Sequence, residues 1–343
     1  MTPREPIAGD GRRPAVLVVT PSVVATFSRQ DLHLLSEEFD ATLYADAGLR
    51  RVAELGKQIA STDAVLIWFA GRHSVPAVWQ ARRLGKPVIT IIGGYEAQWI
   101  PELQYGIRPA SFRHRALAWV LKHSDRILTV STITDTGIKE KVPGISEKCR
   151  LVYNAVDTDL FTPGESQART GVICVGQITE QTMDVKGWRF YWELARRMPD
   201  VAFNAIGPAD STARAELIEH RPANLTWIDE TAPRDLVGYY QKSAVYVQAS
   251  VHESFSLSLA EAMACGCIPV TTRRGALPEV AGETGYFIDR DDPSIATEQI
   301  RSALTSGRDR RAQVRQWVVE HFPLARRRDA LSAVIREVLA AHQ

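Results

Sequence analysis

The chain has 343 residues, 45% hydrophobic and 24% charged, a composition that fits a soluble globular protein of about two domains and excludes disordered, collagen-like and coiled-coil classes. Lys and Arg number 41 against 40 Asp and Glu, a net charge of +1 that argues against duplex nucleic acid as the main partner. No apolar run approaches the roughly 18 residues that span a bilayer, and MTPREPIAGDGRRP lacks the apolar stretch of a signal peptide, so a cytoplasmic location is expected.

In chain order, 15–20 (AVLVVT), 64–69 (AVLIWF), 87–92 (PVITII) and 126–130 (RILTV) read as strands buried on both faces. Amphipathic stretches at 29–38, 75–84 and 111–123 separate them, which implies crossover units on a parallel sheet. The pattern restarts with 172–175, 201–206, 225–228, 245–248, 268–271 and 286–288. The class is therefore α/β, with two parallel-sheet domains. The expected division is 1–163, 164–322 and a C-terminal helix over 323–343 packing back toward the N-terminal domain. The seam lies in the polar stretch NAVDTDLFTPGESQA, which carries Pro163-Gly164. Ligands of such sheets bind beyond the carboxyl ends of the strands, so two sheets in tandem point to the cleft between them.

The richest segment is 248–279, QASVHESFSLSLAEAMACGCIPVTTRRGALPE. A strand ends near Gln248, a polar loop follows, and a helix begins at about Ser256 or Leu257 with Ser256 as N-cap. Its first amides are free donors at a positive dipole end and suit a phosphate. Leu259, Ala260, Met263, Ala264 and Cys267 share one face, and Glu261 tilts back toward the helix start. Glu253 precedes the helix, so two carboxylates suited to hydroxyl groups bracket an anion-binding terminus. Taken alone, the two acids are better explained as solvated surface glutamates, and it is the full string that changes this.

The full string E-S-F-S-L-S-L-A-E-A-M-A-C-G-C-I-P-V resembles the signature of retaining glycosyltransferases of family 4. VYNAVDTDLFTP resembles that family's interdomain stretch, V-G at Val175-Gly176 with K-G at Lys186-Gly187 its first donor-domain unit, and Gly93-Gly94-Tyr95-Glu96 a Gly-rich loop of the N-domain. The resemblance implies the GT-B fold, two Rossmann-like domains facing a central cleft. It implies transfer of a hexose-like sugar from a nucleotide diphosphate sugar to an acceptor hydroxyl, with no metal and no cofactor beyond the donor.

Carried over, it gives Glu253 the hydroxyls of the transferred sugar and Glu261 the ribose. The backbone of Ser254, Phe255, Ser256 and Leu257 would meet the sugar and diphosphate, Lys186 the leaving group, and Gly176, Gln177 and Ile228 the rest of the donor. Ile228 reads equally well as a core residue. Glu253, Lys186 and Glu96 are the catalytic candidates; Gly93, Gly94 and His73 are the acceptor-side candidates, although a lone turn histidine is more often a surface residue.

Three departures from the family pattern matter. Gln177 stands where many members have Arg, with Arg189, Arg273 and Arg274 as candidate substitutes. Gly93 stands where many have His, and glycine there permits close approach of a ligand. TPSVVATFS replaces the usual paired-glycine loop after the first strand.

Asp157-Thr158-Asp159 superficially matches a metal-binding D-x-D, but its place in the link favours turn capping by both acids. Cys149, Cys174, Cys265 and Cys267 read as buried thiols, with no zinc site or disulfide framework. The stretch 108–126 interleaves basic and apolar residues. It fits a core-packed helix with a solvated basic face, or a peripheral contact with anionic lipid. Two other readings of the chain are a nucleotide-sugar epimerase of the same architecture and a non-catalytic sugar- or nucleotide-binding protein.

Overall fold

The computed structural model describes residues 12–45, 52–165, 168–229 and 231–342. The N-terminal residues 1–11, read above for a leader, and residues 166–167 of the link lie outside them. Among the described residues, the first six-stranded sheet contains β1 (Ala15–Thr20), β2 (Asp40–Ala45), β3 (Ala64–Trp68), β4 (Val88–Ile92), β7 (Arg126–Thr129) and β8 (Cys149–Leu151), in the order β2-β1-β3-β4-β7-β8. A short antiparallel ribbon, β5 (Trp99–Ile100) with β6 (Tyr105–Gly106), follows β4. The second sheet runs β11-β10-β9-β12-β13-β14, from β9 (Thr170–Val175), β10 (Phe203–Ile206), β11 (Leu225–Ile228), β12 (Ser243–Gln248), β13 (Ile268–Thr272) and β14 (Tyr286–Ile288).

Every pair within both large sheets is parallel, with Val19 opposite Ile67 in the first and Ile173 opposite Tyr246 in the second. Parallel pairing follows from helical crossovers, which cover both faces and make the central strands apolar throughout. β3 and β4 are buried at every position. β2 and β8 were not anticipated, because they are edge strands with exposed positions; DATLYA in β2 lacks the continuous apolar run of a central strand.

Strand order reverses direction between β1 and β3 in the first sheet and between β9 and β12 in the second. Such switch points leave a crevice beyond the strand ends. The two crevices face each other where Gly94, after β4, meets Ser254, after β12: a Cβ on Gly94 would lie 1.7 Å from Ser254 Oγ. Gly94 also has φ +118°, so side chain and backbone conformation both demand glycine.

The C-terminal helix Leu324–Ala340 lies against the helix Thr26–Ser36 of the first half. Arg327 is buried there, paired with Asp31 at 2.5 and 2.8 Å, and it also donates to the carbonyls of Val152 and Tyr153. Of the three consecutive arginines Arg326, Arg327 and Arg328 near the start of this helix, Arg327 is thus a core residue. In the link, Asp157 Oδ1 accepts from the amides of Asp159 and Leu160, so turn capping is the work of Asp157; no such bond is made by the Asp159 side chain among the described residues. The helix Phe112–His123 buries Leu117, Val120 and Leu121, as a core-packed helix does. Among the described residues no helix is long and apolar enough to cross a membrane.

Candidate active site

The loop after β12 is built around the Glu253 carboxylate, which is almost fully buried. Its Oε1 accepts from Lys186 Nζ at 2.7 Å, Ser250 Oγ at 2.8 Å and Gln248 Nε2 at 3.2 Å. Gln248 is held in turn by Ser250 and by the Tyr246 hydroxyl, which lies 2.8 Å from Ser258 Oγ. Low local dielectric strengthens such a chain and fixes its geometry. Glu253 Oε2 carries no bond among the described residues, so one carboxylate oxygen is anchored and the other is available. Gln248, Ser250 and Tyr246 were missed as contributors, since nothing in a strand-end sequence marks a residue as the partner of a carboxylate five positions on.

Lys186 ends the short helix Thr182–Lys186, and Gly187 with φ +74° turns the chain into the next helix, Trp188–Arg197. The ammonium group remains partly exposed, and with one of its three donors on Glu253 it keeps two for a ligand. Ser256 does occupy the N-cap position of the helix Leu257–Ala264, but its side chain makes no capping bond. Its φ of +73° turns the hydroxyl toward Gln248, 3.4 Å away, and leaves the first helical amides uncapped. The helix ends at Ala264, so Cys267 belongs to the turn before β13 rather than to the helical face, though it is buried as expected. Phe255 is buried against Phe322 and Tyr153, at 5.1 and 6.4 Å between ring centres, so only its backbone is offered to a ligand.

Glu261 is half-buried and accepts a bond from the Tyr240 hydroxyl at 3.3 Å. Burial pushes its carboxyl up to about 7 from the usual 4.5, with the Tyr240 bond opposing. A carboxyl raised on folding favours the folded state while protonated, and that advantage shrinks as pH rises through the interval between the two values. Glu261→Gln, neutral at every pH, is therefore expected to gain stability relative to the parent between pH 4.5 and 7 and to hold a constant difference above that range. Urea melts at several pH values check this; a difference that does not vary with pH would show that Glu261 ionises as freely as in the unfolded chain.

Just after β9, the Gly176 amide donates to the Ile206 carbonyl and a Cβ there would lie 3.8 Å from the Trp188 ring, while Gln177 is exposed with its carbonyl taken by Trp188 Nε1 and Thr182 Oγ1. Ile228 ends β11 partly buried against the core, its carbonyl accepting from Gly207. Arg189 does not replace the missing arginine: its guanidinium is clamped by Glu216 at 2.7 and 2.8 Å and by Asp184 at 2.6 Å. Arg273 lies over the Phe287 ring at 4.0 Å and, with Arg274 and Arg290, lines a cavity of about 570 Å³ at the ends of β13 and β14.

The acceptor-side candidates sit differently from expectation. Glu96 is buried and uses both oxygens on the backbone, accepting from Ala70 at 3.2 Å and Gly94 at 3.1 Å, so it braces the loops after β3 and β4. Burial raises its pKa, against those amide bonds. A Cβ on Gly93 would lie 2.1 Å from the Phe69 ring, so this glycine, like Gly94, makes room for the protein itself rather than for a ligand. His73 is buried, not at the surface; its Nε2 lies 2.8 Å from the Trp68 carbonyl, which fixes the proton on that nitrogen. Lys141, which the sequence did not single out, donates to the carbonyls of Glu96, Gln98 and Ile107 and knits this loop together; burial lowers its pKa to about 8.

Among the described residues, the side-chain atoms buried without a hydrogen-bond partner include His252 Nε2, next to Glu253 in sequence, and Asn154 Oδ1 in the link. Glu279, from the second half, accepts from the amide of Thr132 and the hydroxyl of Tyr153 in the first, which ties the halves together.

Residues 169–306 match the profile of the family described as "Glycosyl transferases group 1". The D-inositol 3-phosphate glycosyltransferase of Mycobacterium sp. (strain JLS) is 28% identical over 228 residues, covering 59% of this chain and 49% of that protein. The MMP alpha-(1->4)-mannosyltransferase of Mycolicibacterium hassiacum is 28% identical over 224 residues, 58% of this chain and 52% of the relative. The chain thus spans about half the length of these curated relatives.

Among solved structures, Anabaena Alr3699/HepE in complex with UDP and glucose superposes with a TM-score of 0.78 at 12% identity, covering 95% of this chain and all of that one (100%). Sucrose-phosphate synthase from Thermosynechococcus elongatus gives 0.76 at 15% identity, over 96% and 100% of the two chains. At such identities the likeness is one of fold. The two facing Rossmann-like sheets have the GT-B fold, and residues 169–306, which carry the second sheet, are similar to the glycosyl transferases group 1 family.

Proposed function

We propose that the chain is a retaining glycosyltransferase that moves a hexose-like sugar from a nucleotide diphosphate sugar to an acceptor hydroxyl without a metal ion. The observation that carries this reading is the Lys186–Glu253 pair, set at the mouth of an uncapped helix and at the switch point of the second sheet. That arrangement offers a cation and free amides to a diphosphate, with a carboxylate oxygen beside them for sugar hydroxyls. In the reaction the bond between the anomeric carbon and the phosphate oxygen breaks, its electron pair leaving on the diphosphate. Lys186 and the helix amides stabilise that developing charge. The acceptor oxygen bonds the anomeric carbon on the same face and passes its proton to the departing phosphate oxygen. No separate base is required, so the remaining side chains bind and orient. Glu261, behind the helix start, is assigned to the ribose.

An epimerase would need an acid and a base aimed at the reacting carbon, and the two candidates in the first half, Glu96 and His73, are both committed to backbone groups. Any lipid-surface contact would fall at exposed Phe112 beside Arg108, Arg113 and Arg115. Uridine diphosphate sugars are the first donors to try, because the fold neighbour HepE is described with UDP and with UDP-glucose.

A thermal-shift and hydrolysis screen against a panel of nucleotide sugars is expected to find one donor that raises the melting temperature and is slowly hydrolysed. Glu261→Ala should weaken binding of the free nucleotide about tenfold, the effect of one or two lost hydrogen bonds to a charged group. Epimerised sugar nucleotide without acceptor, or binding with no turnover on any acceptor, would overturn the reading.

A further inference from the structure

The second sheet has another cavity at its opposite end, where β9, β12 and β13 begin. Its volume is about 600 Å³, within the range that holds small-molecule ligands. A strand length, about 17–20 Å, separates this end from the donor loops. Arg169, Arg308, Arg311 and Arg315 all line it, and Glu165 is the one acid among its lining residues. The last three arginines recur at intervals of three and four on the helix Arg308–His321 and so share one face.

None of the four arginines forms an ion pair among the described residues. What holds them is backbone. Arg311 Nη1 donates to Ala244 O at 2.9 Å, and Arg169 Nη1 reaches Tyr240 O at 3.4 Å. Arg315 donates to Ala264, Phe161 and Thr158 carbonyls at 2.7, 2.8 and 3.0 Å. Arg308 is exposed with no bond among the described residues. Carbonyl dipoles fix these guanidinium groups in place but do not neutralise them. Nε and Nη2 of both Arg169 and Arg311 are left without bonds among the described residues. Burial and the neighbouring Arg169 charge both push the Arg311 pKa down, as expected for like charges held together. The helix that carries three of them starts at Gly307 without a side-chain cap, which adds free amides to the same wall.

We propose that this cavity binds a small ligand carrying a phosphate or similar polyanionic group, at a site separate from the donor cleft. Planar guanidinium forks match phosphate oxygens two at a time, and an anion would supply the negative charge that the protein does not.

The test is calorimetric titration of the full chain with pyrophosphate, inorganic phosphate and glucose 6-phosphate in parallel. Because the donor site also attracts diphosphates, the parent is compared with Lys186→Ala and Arg308→Glu. A binding component that persists in Lys186→Ala and weakens at least tenfold in Arg308→Glu is expected, with Arg308→Lys retaining most of the affinity. Tightest binding of the sugar phosphate would mark an organic phosphate as ligand, and tightest binding of pyrophosphate an inorganic one. Absence of binding at millimolar concentrations, or binding lost in Lys186→Ala and unchanged in Arg308→Glu, would overturn the proposal. Arg308 is exposed and has no bond among the described residues, so its variants are expected to fold.

Discussion

Lys186→Ala is expected to lower kcat/KM for the sugar donor by about 10²–10³, the usual effect of removing one preorganised donor to a developing negative charge. The effect should lie at the upper end because Lys186 is the cation bonded into the loop that carries Glu253. Gln177 brings no charge, Arg189 is held by Glu216 and Asp184, and Arg273 is stacked on Phe287. Lys186 also neutralises Glu253, so its removal leaves a nearly buried carboxylate with only Ser250 and Gln248 as donors. Glu253→Ala should behave differently. It removes the oxygen assigned to the transferred sugar and leaves Lys186 free for the phosphates. Turnover of the sugar nucleotide should then fall well beyond any loss in affinity for the free nucleotide. Steady-state kinetics with the donor found by the screen, beside titration with the free nucleotide, separate the two variants. Equal losses in both measurements for Glu253→Ala would mean that it acts on the nucleotide or on the fold of the loop, and normal turnover in both variants would remove the pair from the mechanism.

The strands of the two sheets were legible because a parallel sheet covered by helices leaves a continuous apolar run, as in β3 and β4, whereas β2 and β8 at the edge leave none. The candidate donor loop was legible for another reason: its carboxylates, its polar turn and the helix start follow one another within a single segment, so order along the chain records order in space. The acceptor side has no such economy. Glu96, Gly93, Gly94 and His73 are neighbours of the cleft, yet their roles depend on Ala70, Phe69, Ser254 and Trp68, which come from other loops and strands. A polar residue in a Gly-rich turn looks the same in sequence whether it faces a ligand or braces the turn beneath it. The same limit hid Arg327, which in sequence is one of three consecutive arginines, Arg326 to Arg328, until the fold brings Asp31 to it.

That pair should dominate the stability of the link between the two halves. Arg327 and Asp31 are 2% and 0% exposed, and the Asp31 carboxylate also accepts from Trp68 Nε1 at 3.0 Å. Arg327→Met is expected to cost about 3–5 kcal/mol, since it strands a buried carboxylate rather than merely deleting an attraction. It also releases the carbonyls of Val152 and Tyr153, where the chain leaves β8. The companion Asp31→Leu should cost a similar amount for the opposite reason, an unpaired guanidinium. The double variant, with two apolar side chains facing each other, should lose much less than the sum of the single effects. Equilibrium unfolding of the four proteins gives the coupling directly. Strictly additive losses would mean that the two residues act through separate contacts. Strong coupling would place the clasp of the C-terminal helix on the first half. Tyr153 also holds Glu279 across the cleft, so the single variant should loosen that contact as well and raise KM for the acceptor at temperatures where the fold is still intact.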